Sequence, residues 1–184
     1  MRFDYGRNPE QRYAEFTVGV GPERRGSRRV VVAERWGWTV RRLQAVAPED
    51  VEAALPHLDN LARLVLDARL DYEGQDRLRA LAEREDVLLK TVEMEAPAPL
   101  ADALPLASWR VQAALYLREL RRTGKLELPT DKALADQFRS LDLVRGAGGK
   151  LTVTPGVLPL VDAILLTLQP LLRTATPVRG WVGR

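Results

Sequence analysis

Cysteine is absent from the 184 residues and histidine occurs once, so the side chains that most often bind transition metals are almost missing. Without cysteine the chain has no thiol nucleophile, no thiolate zinc site and no ligand for an iron–sulfur cluster. The one histidine, His57, lies in a stretch of helical periodicity, where a surface position is commoner than a role as base or ligand. We therefore expect no metal site and no cofactor.

Long apolar runs are missing as well. Residues 1–13 are polar and charged where a secretory signal would be apolar. No uncharged run reaches the about 20 residues that are needed to cross a bilayer. This pattern predicts a cytoplasmic protein without membrane contact.

Charge is abundant, and its two signs are unevenly placed. Residues 1–42 carry ten basic and five acidic residues, residues 43–107 carry six and fourteen, and residues 108–184 carry twelve and six. Because opposite charges attract and steer encounter, this asymmetry indicates either a nucleic-acid surface or attraction between parts of the molecule.

The acidic middle contains one group of carboxylates that could be considered as a cation site. Its members are Asp67, Asp71, Glu73 and Asp76. Their spacing does not match that of a calcium-binding loop, and a solvated helix connection accounts for them. They do not alter the expectation that the chain has no metal site.

The N-terminal half has the pattern of an α+β domain. Three runs rich in β-branched and aromatic residues predict an antiparallel meander, at residues 13–20, 29–33 and 38–46. Apolar residues from Val51 to Val65 recur at helical spacing and predict a short and a longer helix divided by Pro56, followed by a helix over 75–84. Residues 87–94 predict a fourth strand that adds to the meander.

A Pro- and Ala-rich segment at residues 96–107 predicts a linker, so we divide the chain into an α+β domain over 1–95 and a second domain over 108–173. The second domain should begin with a helix whose apolar face includes Trp109 and Leu117, with Arg110 off that face. A helix over 131–143, a glycine turn and strand over 146–154, and an apolar helix over 159–172 follow. Residues 174–184 form a basic tail.

The order helix, helix, glycine turn, strand and helix resembles the C-terminal part of winged-helix DNA-binding domains. The resemblance covers residues 109–172 and is most specific over 138–155 (FRSLDLVRGAGGKLTVTP). The helix-turn-helix pair is incomplete, because residues 123–130 are too few for a full second helix. The resemblance implies that the helix over 131–143 faces a major groove and that Arg145 and Lys150 lie on or beside the wing.

Two groups of residues are candidate nucleic-acid contacts. Basic side chains can hold phosphates while exposed aromatic rings stack on bases. The first group, in the N-terminal half, consists of Arg24, Arg25, Arg28, Arg29, Trp36 and Trp38. The alternative interpretation is a solvated hairpin tip and two tryptophans buried under the helices. The second group flanks the presented helix and wing and consists of Lys132, Arg139, Arg145 and Lys150.

The final helix predicts a homodimer. Its apolar residues wrap most of the helix circumference, and a small domain can cover only one such face. A second copy of the chain would cover the rest, through an interface formed by Leu160, Ile164, Leu165, Leu168 and Leu172.

The sequence therefore favours a non-enzymatic, nucleic-acid-associated binding protein with a winged-helix-like C-terminal domain, either a transcription regulator or an accessory nucleoprotein factor. DNA is favoured over RNA as its partner. The alternative is a protein–protein adaptor or assembly protein that uses the same module and does not contact nucleic acid. An enzyme is disfavoured because no spacing arranges the available carboxylates, hydroxyls and amines into a catalytic group.

Overall fold

A five-stranded mixed sheet with helices on both faces organises the part of the chain that the structure, a computed structural model, describes. A separate two-stranded hairpin accompanies it. The described residues are 15–22, 30–36, 39–46, 51, 61–97, 107–127, 131–146, 149–154, 156 and 158–172. Within these ranges, every helix is too short or too polar to traverse a bilayer.

The predicted meander is confirmed. Strands β1 (Glu15–Val20), β2 (Val30–Trp36) and β3 (Thr39–Val46) pair antiparallel in sequence order. Their β-branched residues suit a pleated surface that is covered by other elements, which is why the pattern was readable from sequence.

The predicted helix over residues 61–65 is wrong. Leu61–Asp67 forms β4, which pairs parallel to β1, and β5 (Leu89–Val92) pairs parallel to β4. The strand order is β3-β2-β1-β4-β5, so β5 joins β4 and not the meander. A strand buried on both faces is a nearly continuous apolar run, which periodicity alone does not distinguish from a buried helix. The rest of that prediction, at residues 52–60, lies outside the described residues.

Helix α1 (Tyr72–Arg84) connects β4 to β5 and covers one face of the sheet. It begins three residues before the predicted start because the Asp71 side chain accepts a hydrogen bond from the Gly74 backbone N–H and caps the helix. Its buried residues pack against inward-pointing residues of the central strands, in a cluster that includes Val18, Val20, Leu64, Leu66 and Leu81.

The other face is covered by the C-terminal elements. These are α2 (Trp109–Arg122), α3 (Lys132–Ser140), the hairpin of β6 (Asp142–Arg145) and β7 (Leu151–Thr154), α4 (Pro159–Thr167) and α5 (Gln169–Leu172). One hydrophobic cluster joins Val31 and Val65 of the sheet to Leu117 of α2 and Ile164 of α4. This cluster includes residues from both sides of the predicted linker at 96–107. The division into two domains stays a prediction. The predicted tail at 174–184 lies outside the described residues.

Helix α4 is buried on all sides by this chain itself, as every residue from Pro159 to Thr167 is buried. The five residues predicted to form a dimer interface are between 0% and 5% exposed. The exposed apolar face on which the homodimer prediction depended is therefore absent. A homodimer itself stays a prediction.

Two glycines of the central strand region allow α4 to pack this closely. A Cβ atom built on Gly19 would lie 2.1 Å from the backbone oxygen of Ala163, and one on Gly21 would lie 2.4 Å from that of Pro159. Any side chain at these positions would push α4 away from β1. The N-terminal end of α4 thus lies directly over the end of β1.

Candidate functional site

The carboxyl-terminal end of β4 places a carboxylate at the edge of the sheet, next to the end of the middle strand β1. Asp67 is the last residue of β4 and has no exposed surface. The register pairs Val20 of β1 with Leu66 of β4, so the residues that follow, Gly21 and Asp67, lie side by side. Asp67 is therefore in the position where ligands bind in open sheets with parallel strands, outside the carboxyl ends of the strands.

Arg69 folds back on Asp67 from the loop after β4. Its backbone N–H and its Nε each donate to Asp67 Oδ1, at 2.8 and 2.9 Å, and its Nη2 donates to Asp67 Oδ2 at 2.6 Å. The loop is fixed from α1, because the Gln75 side-chain amide donates to the carbonyls of Ala68 and Leu70. Arg69 is thus held in one orientation by its own turn.

The same guanidinium reaches a second carboxylate. Arg69 Nη2 also donates to Asp162 Oδ2 on α4 at 3.1 Å, and Arg110 Nε of α2 donates to Asp162 Oδ1 at 2.8 Å. Asp162 has no exposed surface and Arg110 is 4% exposed. We call Asp67, Arg69, Arg110 and Asp162 the arginine–carboxylate network.

Burial determines the electrostatics of this network. It raises the pKa of the Asp162 carboxyl above its usual value, and the Arg110 guanidinium opposes that rise. The hydrogen bonds to Asp67 raise the pKa of Arg69 above its already high value, so this guanidinium stays charged. The geometry thus pairs two buried carboxyl groups with two guanidinium groups.

The network does not fit a divalent metal ion as it stands. All four carboxylate oxygens of Asp67 and Asp162 accept a hydrogen bond from Arg69 or Arg110. Gly21, beside Asp67, offers no side-chain ligand, and a Cβ atom built there would lie 2.4 Å from the backbone oxygen of Pro159. Among the described residues there is no group of three or more acidic or histidine side chains that could hold a metal ion.

The predicted nucleic-acid residues of the C-terminal half lie away from this network, at the surface. Lys132, Arg139, Arg145 and Lys150 are all exposed. The hairpin turn brings two of them together, as Arg145 ends β6 and the Gly146 N–H donates to the Lys150 carbonyl at 2.8 Å. Arg139 is paired with Asp136 of its own helix at 2.9 Å, an exposed contact of small energetic value.

Only one member of the N-terminal group can be located. Trp36 ends β2 half-buried, its Nε1 donates to Glu34 Oε1 at 2.8 Å, and the Arg41 guanidinium lies 5.4 Å from its ring centroid. The other members, Arg24, Arg25, Arg28, Arg29 and Trp38, lie outside the described residues.

Sequence reasoning missed the arginine–carboxylate network. Asp67 was grouped with solvated acids, and Arg110 was expected off the buried face of its helix. One signal was present, because Asp162 is the only charged residue between Val157 and Leu172. A lone charge in an apolar helix is almost never fully buried unless it is paired.

Comparison with solved structures identifies the fold. A mutant of gp2c, from the large terminase subunit of bacteriophage Sf6, solved with calcium, is 13% identical with a TM-score of 0.57, and the match covers 84% of this chain and 87% of that one. The large terminase nuclease from the thermophilic phage G20c is 17% identical with a TM-score of 0.53, covering 86% and 83%. This chain has the fold of a large terminase nuclease domain. No protein-family model and no curated protein matches its sequence.

The terminase nuclease fold corrects several predictions. The winged-helix interpretation is wrong: α3 and the β6–β7 hairpin are present, but with α2 and α4 they pack against a five-stranded sheet. The predictions of a non-enzymatic binding protein, a transcription regulator or an adaptor are contradicted by matches to nuclease domains. Local element order is shared by many folds, whereas sheet order is decided by long-range pairing.

Proposed function

We propose that this chain is a nuclease-type domain that acts on DNA. The observation that carries the proposal is the position of Asp67. It lies at the end of the central parallel strands in a fold like that of a terminase nuclease, and the Arg69 guanidinium joins it to Asp162. Ligands bind outside the carboxyl ends of the strands in open sheets with parallel strands, so a phosphodiester bound at this edge would lie next to this network.

The residues do not fit a metal ion in the arrangement described above, so the proposal includes no step through one. What this chain's own residues supply is a pair of fixed carboxylates and two guanidinium groups. Arg69 is the member closest to solvent, since its side chain is 34% exposed while both carboxylates are at 0%. A phosphate at this edge of the sheet would meet Arg69 first, because its guanidinium is positively charged and is the exposed part of the network. Its Nε and Nη2 already donate to carboxylates.

The exposed basic residues provide the remaining contacts of the proposal. We assign Lys132, Arg139, Arg145 and Lys150 to the DNA backbone, where phosphate contacts position a protein without reading sequence. The arginines of residues 24–29 are a further proposed contact and lie outside the described residues.

The test is cleavage of supercoiled and linear DNA by the purified chain in EDTA, in Mg²⁺ and in Mn²⁺. We expect the wild type to nick DNA slowly under at least one of these conditions. Asp67→Asn should lose this activity, because the substitution keeps the shape of the side chain but removes its negative charge. The control is Asp76→Asn, which changes an exposed carboxylate of α1. If the wild type leaves DNA intact under all three conditions, or if Asp67→Asn cleaves as fast as the wild type, the proposal is wrong.

A further inference from the structure

Arg69 lies between two carboxylates that come from distant parts of the chain. Its Nη2 is 2.6 Å from Asp67 Oδ2 and 3.1 Å from Asp162 Oδ2, so a single nitrogen bridges β4 and α4. Asp67 and Asp162 are separated by 95 positions in the numbering and meet only through the fold. The Arg69 guanidinium therefore bridges the two carboxylates as a bound cation would.

The charge balance of the site makes such a cation necessary. Two carboxylates without exposed surface would strongly destabilise the fold unless positive charge compensated them. Arg110 supplies one compensating charge and Arg69 supplies the other. Carboxylate oxygens are also the ligands that hard divalent cations prefer, so the same oxygens would suit a metal ion in the absence of Arg69.

Access to the site depends on Arg69. Its side chain is 34% exposed, whereas that of Arg110 is 5% exposed and closes the site from the α2 side. Removing the Arg69 guanidinium would open the two carboxylates to solvent on the side of the loop after β4.

The interior of the site also keeps unused hydrogen-bonding capacity. Arg110 Nη2 is buried next to Asp162 and has no hydrogen-bond partner within the described part of the chain. A buried donor without a partner is uncommon in native proteins.

We propose that Arg69 is a built-in cation that occupies, between Asp67 and Asp162, a position where a divalent metal ion binds once the guanidinium is removed. The proposal rests on the nuclease-like position of these carboxylates, but its readout is metal binding and not DNA cleavage. Either proposal can therefore fail while the other stands.

The experiment is titration of the full chain with Mn²⁺, with free Mn²⁺ followed by electron paramagnetic resonance. Arg69→Met should bind one Mn²⁺ at least about tenfold more tightly than the wild type, because the carboxylate pair gains one unit of net negative charge. The matched control is Arg79→Met, which removes a more exposed arginine that is paired with Asp76 on α1. Its Mn²⁺ affinity should equal that of the wild type.

A double variant tests whether both carboxylates are required. Arg69→Met/Asp162→Asn should lose the added affinity, because a bridging site needs both groups. If Arg69→Met is unfolded in EDTA, its refolding on addition of Mn²⁺, observed by circular dichroism, supports the proposal equally. The proposal is overturned if Arg69→Met binds no more Mn²⁺ than the wild type, if it stays unfolded with Mn²⁺, or if the double variant binds as tightly as the single one.

Discussion

Asp162 lies in the first turn of α4, where its carboxylate has no exposed surface and contacts one guanidinium from α2 and one from the loop after β4. A buried pair of this kind adds little net stability when it forms, because desolvation offsets attraction. Removing one partner has a much larger effect, since the other charge stays buried. The four residues of the network therefore depend on one another.

Replacement of Arg110 tests this dependence. Arg110→Met should lower the free energy of unfolding by about 3 kcal/mol, because it leaves Asp162 with Arg69 alone. Arg139→Met removes an arginine from the exposed pair with Asp136 and should change the free energy of unfolding by less than about 1 kcal/mol. Urea titration followed by circular dichroism measures both. If the two variants lose equal free energy of unfolding, the buried network contributes no more to stability than the exposed pair does.

At the scale of elements, α4 packs directly against β1. The backbone oxygens of α4 approach β1 at Gly19 and Gly21, where no side chain intervenes. This close approach places Asp162 of α4 beside the end of β4, within reach of Arg69. The glycines are thus part of what forms the site, although they lack functional groups.

Filling one of these positions should displace α4. Gly19→Ala should lower the free energy of unfolding by about 2–3 kcal/mol, since the new methyl group would meet backbone atoms that move only with the helix. Gly156→Ala is the control, because a Cβ atom there has no neighbour within 4 Å. Thermal unfolding of the two variants compares them, and a stable Gly19→Ala variant would mean that α4 can shift at little cost.

The β6–β7 hairpin is the element on which the proposed DNA contact can be tested most directly. Arg145→Ala/Lys150→Ala should weaken DNA binding and reduce the slope of log affinity against log salt by about 2, as two phosphate contacts are lost. Arg79→Ala/Arg84→Ala removes the same charge from α1, on the opposite face of the sheet. Fluorescence anisotropy over a salt series distinguishes them. If both pairs lower the slope equally, the effect is net charge and not a hairpin contact.

At the scale of the whole molecule, the apolar surface of α4 is used to join the sheet to the C-terminal elements. Leu160, Ile164 and Leu165 lie in one cluster with residues of β2, β3 and β4. Burial of this helix by its own chain replaces the subunit contact that its composition suggests. Within the described part of the chain, Pro159–Thr167 is buried without a second copy.

A charge introduced at Leu165 tests whether α4 is buried by its own chain or forms a subunit interface. Leu165→Glu should lower the free energy of unfolding by more than about 3 kcal/mol and unfold the chain, because Leu165 is 0% exposed. Val144→Glu, at a 42% exposed residue of β6, should leave the chain folded. Circular dichroism with analytical ultracentrifugation decides the matter. A folded, monomeric Leu165→Glu beside a dimeric wild type would instead restore the dimer interface.

The sequence by itself determined the elements whose signals are local. The meander, α1, the apolar face of α2 and strand β7 follow from alternation, capping, helical spacing and a glycine turn, all of which act between residues close in the chain. Burial of Leu117 and Leu120 in α2 agrees with that pattern. Strand β6 does not, because its residues 142–143 were predicted as the end of the helix over 131–143.

Tertiary structure alone decided the identity of β4 and the existence of the arginine–carboxylate network. Leu61–Asp67 is a strand because β1 and β5 flank it and helices cover both faces, and no residue within the segment encodes those neighbours. Arg110 and Asp162 are 52 positions apart, and Arg69 and Asp162 are 93 apart. A local sequence pattern does not predict ion pairs over such separations. The charged groups become partners only after the sheet and α4 have brought them together in the folded chain.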